Sequence, residues 1–305
     1  MRDAFSNTLV SLAKADPNVL LLTGDHGYAL FDAFRRECPN QYINAGIAEQ
    51  NMVGMAAGLA RAGFKPFVYG LAAFIPVRVI EQIKLDVAHD NLPVIFIGDG
   101  AGFVYSHLGT SHQSTEDIAC TRAIPNLAIY SPADRFEVSA CMTAAYNSEL
   151  ASYIRMGKSD RGDIHQSEIA KFSSLVFNVN QANDSRVAII ATGSMVKMAL
   201  NLVNEGSIQA SVWSVPAIKP PNVQQIVDIC ESNDLIITME EHSILGGLGS
   251  LIAEISTEFC PKKILRIGVQ DRFSHYCGTY EYLLKEHQLD LYSITKQINE
   301  FISAE

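Results

Sequence analysis

Several things are missing from this 305-residue chain, and each absence excludes a class of protein. No stretch approaches the roughly 20 consecutive apolar residues that a bilayer span needs, and residues 1–18 hold no basic segment followed by an unbroken apolar run. A soluble, unexported protein is expected, with the cytoplasm as its compartment. The six cysteines, Cys38, Cys120, Cys141, Cys230, Cys260 and Cys277, include no CxxC pair and no metal-ligand spacing. They read as reduced thiols used as small core residues, and no metal site is assigned to the chain. No basic run relieves the net charge of −10, which repels phosphate backbones and anionic lipid. Nucleic acid and membrane are therefore not expected partners. Charged residues are scarce as well, 18% against 48% hydrophobic, which predicts surface buried between subunits.

What is present is an alternation of short apolar runs and helical patterns, without internal repeats or low-complexity tracts. Runs ending in turn residues at 19–25, 65–70, 93–99, 127–132 and 151–157 predict strands, with helices over 3–15, 47–62, 76–90 and 134–147. A polar, turn-rich stretch interrupts the pattern, and a second series of strands is predicted at 186–193, 210–216, 235–241 and 263–269. The fold class is α/β, two domains, each a largely parallel sheet flanked by helices: 1–160, a linker over 161–184, and 185–305. Ligands of such sheets meet the carboxyl ends of the strands, which ranks Asp25, the segments from Leu71 and Gly98, and Arg155 before any motif is considered.

The densest local signal is residues 43–66, INAGIAEQNMVGMAAGLARAGFKP. Gly54, Ala56, Ala57, Gly58 and Ala60 keep this helix slender, which costs helix propensity at the glycines but lets another backbone approach, as at a subunit interface. Glu49 falls in the first turn, where the helix dipole favours a carboxylate; for a glutamate taken at random, a plain capping acid is the better reading, and here the context weighs against it. A second cluster, Gly109-Thr110-Ser111-His112-Gln113, follows a strand end, which argues against a histidine buried for packing alone.

The Gly-Ile-Ala-Glu-Gln-Asn string at 46–51, the Gly/Ala spacing behind it and the loop around His112 resemble the transketolase family, including the 1-deoxyxylulose 5-phosphate synthases. The resemblance runs from Arg2 to about residue 290 and implies a pyrimidine-binding domain followed by the family's C-terminal domain. It implies thiamine diphosphate as cofactor, with Glu49 hydrogen-bonded to N1′ of the aminopyrimidine. A carboxyl group sharing its proton there promotes the imino tautomer that deprotonates the thiazolium C2, which an amide could not do. The same resemblance places Phe74 against the pyrimidine ring, Leu71 where the family has an earlier aromatic, and Arg78, or Val77 one residue away, as a third pocket residue. A core phenylalanine under a helix remains the alternative for Phe74. It places His112 at the reactive side of the cofactor, where imidazole moves protons near neutral pH. Asp25 would lie near the thiazolium and the substrate, unless it simply caps the next helix.

Family members that use sugar phosphates hold the phosphate with arginines, a serine and a histidine. Arg2 and Arg155 stand at the arginine positions, suited by bidentate geometry. The serine position is Ala29, the histidine position Gly100, and the aspartate that reads an acceptor hydroxyl becomes Leu108 with His107 beside it. A sugar other than the common pentose-phosphate pair is implied, such as a deoxy, amino or nucleotide-linked one. Gly98-Asp99-Gly100 begins like the GDG…NN signature for the metal-diphosphate, but the paired asparagines do not follow, so it is read as a strand-end turn. The family's diphosphate domain has no counterpart, so a partner chain carrying it, with Mg2+ or Ca2+, is expected. The expected assembly is a dimer of heterodimers catalysing ketol transfer between a ketose and an aldose. Gly246-Gly247-Leu248-Gly249 would permit close helix packing. The beta subunit of a 2-oxo acid dehydrogenase, a 1-deoxyxylulose 5-phosphate synthase and a non-catalytic scaffold are the alternatives; the Glu-Gln-Asn continuation, and Glu49 together with His112, argue against the first and last.

Overall fold

The computed structural model describes residues 1–158, 161–169, 176–182 and 185–303. The first sheet comprises Val19–Thr23 (β1), Tyr42–Asn44 (β2), Lys65–Leu71 (β3), Ile95–Asp99 (β4), Leu127–Tyr130 (β5) and Ala151–Met156 (β6). Every residue of β1, β4, β5 and β6 is buried, as a sheet covered by helices on both faces requires. The second sheet is built from Phe177–Asn180 (β7), Val187–Ala191 (β8), Ser211–Ser214 (β9), Leu235–Ser243 (β11) and Lys263–Val269 (β12), in the order β12-β11-β8-β9-β7. Each sheet is parallel except at one edge: β7 runs antiparallel to β9, and Ala217–Lys219 (β10) runs antiparallel to β5 in the order β10-β5-β6-β4-β3-β1-β2. No helix among the described residues is long and apolar enough to cross a membrane.

Three short edge strands escape the sequence pattern. β2 and β10 have three residues each, too few to show a period, and β7 lies inside the span expected to be linker. Residues 170–175 and 183–184 of that span, and 159–160 just before it, lie outside the described residues. β10 comes from beyond the expected domain boundary yet extends the first sheet, so the chain crosses back between the halves. The helix expected over 76–90 is broken into Val77–Val79, Ile80–Gln82 and a π-helical Ile83–Ala88, in which His89 N–H reaches Lys84 C=O. The wider turn brings Ile83, Val87 and Ala88 all to the interior.

One apolar layer joins the two sheets: Val53, Ile83 and Phe96 from the first half belong to the same buried cluster as Ile190, Ile236 and Leu248 from the second. The outer faces carry separate clusters around Phe67 and Val212. A joint of this extent and character ties the halves together. Several polar groups pair across it. Glu241 accepts from Phe103 N–H at 2.7 Å and from the Ser194 and Tyr280 hydroxyls, and His242 Nε2 accepts from Ala119 N–H at 3.2 Å. Glu240 caps the helix Leu248–Phe259 by accepting from Leu248 and Gly249 N–H at 2.7 and 2.8 Å. A Cβ at Gly247 would stand 2.0 Å from Glu240 Oε2, so that glycine admits a carboxylate, where the sequence pattern suggests helix packing.

Arg155, where the resemblance implies a phosphate-binding arginine, is buried in this joint. Its side chain is 3% exposed; Nε donates to Asp117 Oδ2 at 2.8 Å, and Nη2 donates to Ser114 C=O at 3.1 Å and Glu241 C=O at 2.8 Å. A strand-end arginine on β6 meets a buried aspartate from the helix Asp117–Arg122, and the pair is sealed by Tyr153 hydroxyl on Asp117 Oδ2 at 2.6 Å. Replacing Arg155 with Met should lower the unfolding free energy by about 3–5 kcal/mol, by leaving Asp117 charged and unpaired in the interior, and Asp117→Leu on top should restore part of that loss. A chemical-denaturation difference below about 1 kcal/mol would contradict the assignment.

Burial pushes His242 down to about 4, with nearby Arg155 acting in the same sense and Asp117 opposing. The imidazole is neutral in the fold and protonates near 6.5 when unfolded, so its contribution to stability is complete above 6.5 and lost as pH falls toward 4. In His242→Gln the fall in melting temperature between pH 6.5 and 4.5 should be shallower than in the parent; equal slopes would refute this.

Candidate active site at the carboxyl end of the first sheet

Asn44 organises the first corner. Its Oδ1 accepts from Asp25 N–H at 3.2 Å and Gly46 N–H at 2.9 Å, and Gly46, at φ 72°, turns the chain from β2 toward the helix Glu49–Arg61. Ala48 offers no side-chain cap, so the carboxyl group of Glu49 is the acid beside the helix's unpaired N–H groups. Glu49 is 5% exposed and its Oε1 accepts from Arg78 Nη1 at 3.1 Å. Oε2 carries no hydrogen bond among the described residues.

The second corner follows β3. Leu71 C=O accepts from the N–H groups of Phe74 and Ile75, both at 2.8 Å, which curls the chain and sets the half-buried Phe74 ring at the strand end. The Arg78 guanidinium lies 3.9 Å from the centre of that ring, so one arginine joins Phe74 to Glu49. His112 meets the Phe74 ring edge-on at 5.3 Å, and its Nδ1 is 3.0 Å from Ser111 Oγ. The loop that carries His112 is closed at its base by paired backbone hydrogen bonds between Gly102 and Ser114, 2.8 and 3.0 Å long. Glu49, Phe74, Arg78 and His112, separate in the sequence, form one cluster.

His26 joins it and was not picked out from the sequence. Its ring centre is 6.2 Å from that of Phe74, and its Nε2 is buried without a hydrogen-bond partner among the described residues. It directly follows Asp25 at the end of β1, so the strand-end rule was the available signal. Asp25 itself is exposed at φ 61° and caps no helix; its carboxylate is 3.4 Å from Asn44 Nδ2.

Arg2 opens the first helix half-exposed and pairs with Asp99 at 3.6 Å. Asp99 ends β4 in register with Leu71, so Arg2 reaches the same end of the sheet. It fronts a depression of about 460 Å³ shared with Gly27, Tyr28 and Ala29. Asp99 also accepts from Tyr69 at 2.7 Å and Tyr105 at 3.3 Å; burial lifts the Tyr105 hydroxyl to about 12 and Tyr69 higher still, so both act as neutral donors. Gly100 has φ 76°, and a Cβ there would stand 2.0 Å from the Tyr105 ring, which therefore fills the space a side chain at 100 would need. His107 and Leu108 are exposed on the loop.

The pyrimidine-binding domain of transketolase matches residues 1–162 and the transketolase C-terminal domain matches 177–294. The chain belongs to the transketolase family. It is 36% identical over 310 residues to a putative transketolase C-terminal section of Methanocaldococcus jannaschii, covering 100% of this chain and 97% of that protein. Identity is 33% to one of the subunits of apulose-4-phosphate transketolase from Phocaeicola vulgatus, covering 99% and 97%. Among solved structures, a split gene transketolase described as an inactive beta4 tetramer superposes with a TM-score of 0.89 at 30% identity, covering 99% and 98%.

Membership implies thiamine diphosphate dependence, and the residues fit the pyrimidine end of that cofactor. An aminopyrimidine needs a carboxyl partner for a ring nitrogen and an aromatic surface. Glu49 Oε2 would supply the first, with Oε1 held by Arg78, and Phe74 the second.

Proposed function

We propose that the chain is the C-terminal subunit of a two-chain transketolase, active with an N-terminal subunit that holds the diphosphate through Mg2+ or Ca2+. The observation that carries this reading is the Glu49 carboxyl group at a helix N-terminus, within one cluster with Phe74 and His112. Full-length similarity to a protein that is itself named as a transketolase subunit supports the two-chain form.

When bound, thiamine diphosphate supplies the carbon nucleophile that takes a two-carbon unit from a ketose and gives it to an aldose. Glu49 Oε2 holds or returns the proton at the pyrimidine nitrogen, and the Arg78 pairing keeps the carboxyl group from turning away. Phe74 orients the ring through its face. His112, on the rim of the cluster, moves a proton at a substrate oxygen. Asp25, His107 and Arg2 face the sugar, with Arg2 set to meet an anionic group at the depression beside Tyr28. Ala29 and Leu108 offer no polar side chain, and Tyr105 fills the space beside Gly100, so the sugar differs from the common pentose phosphates. The relative named for apulose 4-phosphate supports a pocket that varies within such subunits. The Gly54 and Gly58 face of the Glu49 helix, where an added Cβ would meet nothing within 4 Å, is open to a second subunit in a dimer of heterodimers.

In the reconstituted complex Glu49→Gln should lower kcat at least about 10²-fold while gel filtration shows the assembly intact. Wild-type turnover in that variant would end the catalytic reading, and rates with xylulose 5-phosphate and ribose 5-phosphate equal to an ordinary transketolase would end the altered-pocket reading.

A further inference from the structure

The C-terminal domain is joined to the first half by an apolar layer, yet it also reaches the loop that carries His112 through a chain of side chains that packing does not require. Gln113, next to His112 and 6% exposed, has its Oε1 2.9 Å from Ser274 Oγ. Ser274 Oγ is in turn 2.9 Å from His287 Nε2, and His287 is 4% exposed with its ring stacked on Phe103 at 4.8 Å. Phe103 opens the same loop, and its N–H is held by Glu241 at 2.7 Å. Both ends of the loop are therefore fastened to the C-terminal domain, one by Glu241 and one by Ser274.

The donor order is fixed by valence. Gln113 Oε1 can only accept, so Ser274 donates to it, and Ser274 must then receive its own hydrogen bond from His287 Nε2–H. Burial, reinforced by Arg272, holds His287 down to about 4, so the ring is neutral and Nδ1 bears no proton. Nδ1 of His287 and Nε2 of Gln113 are buried without partners among the described residues, and both residues line a cavity of about 30 Å³ under the loop, enough for one bridging water.

We propose that Ser274 and His287 are positioning residues, which set the His112 loop against Phe74 by holding Gln113 from the C-terminal domain. The proposal rests on His112 belonging to the active site. Among the described residues, the His112 ring meets Phe74 by an edge contact and has a short side-chain polar neighbour in Ser111, itself on the loop, so the anchorage comes from outside the cluster. A misplacement of about 1 Å in such a group costs on the order of 10²-fold in rate.

The test is amide hydrogen exchange on the full chain, followed by kinetics of the reconstituted complex. Ser274→Ala, and separately His287→Phe, which keeps the stack on Phe103, should speed exchange in residues 103–114 by about fivefold and leave residues 187–191 of β8 unchanged. Ser274→Thr, which retains the hydroxyl, should restore protection. In the complex, kcat should fall about tenfold in Ser274→Ala with the donor KM within twofold. Unchanged exchange in 103–114, or acceleration spread evenly over the chain, overturns the proposal. So does faster loop exchange without any change in kcat while the parent complex is active. Exchange is read without partner or cofactor, so a parent complex inactive as a transketolase would count against the function and leave the anchorage measured.

Discussion

The guanidinium of Arg155 is the constraint on which the two halves depend. A charge 3% exposed would be untenable alone, and here it is met by Asp117 from the first domain and by the Glu241 carbonyl from the second. An apolar joint could slide, because dispersion and burial are not directional. Hydrogen bonds from one fixed fork to Asp117, Ser114 and Glu241 cannot. Glu241 sits at the centre, since its carbonyl serves Arg155 while its carboxylate serves Phe103 N–H, Ser194 and Tyr280. The base of the His112 loop is thus set by the same group that locks the domains.

The proposed site at the carboxyl end of the first sheet, by contrast, has little local machinery. Glu49 has no side-chain cap at Ala48 and gains its order from Arg78; Arg78 gains its order from the Phe74 face. Phe74 is placed by two backbone hydrogen bonds to Leu71 C=O at the end of a buried strand. Each member is held by the one before it, and the strand is held by the sheet. Within the cluster, Glu49 Oε2 carries no hydrogen bond among the described residues.

The sequence revealed the elements that bury both faces, because continuous apolar runs such as Leu20-Leu21-Leu22 and Ile95-Phe96-Ile97 have no other use. It did not reveal β2, β7 and β10, whose three or four residues carry no period and whose pairing is decided by neighbours far along the chain. Glu49, Phe74, Arg78 and His112 were legible through motifs, and the structure brings them together. The pairing of Arg155 with Asp117 was not legible, because position at a strand end says nothing about which way a side chain turns, and the buried Asp117 lies far along the chain. His26 and Ser274 were passed over for a related reason: their relevance lies in contacts across 48 and 161 positions of sequence, which no local pattern encodes.

The two ends of the proposed site are under different pressures. A carboxyl group that faced a ring nitrogen, as proposed for Glu49, would be fixed by the chemistry of the cofactor. The sugar end answers only to whichever substrate is used. There, Asp99 is surrounded by Tyr69, Tyr105 and Arg2, and the Tyr105 ring fills the space that a side chain at residue 100 would claim. Tyr105 and Gly100 are therefore coupled: the glycine is tolerated because the ring is there, and the ring fits because the glycine is. Restoring a histidine at 100 alone would meet both a positive φ and an aromatic ring, so a change of substrate in this pocket has to move both positions together.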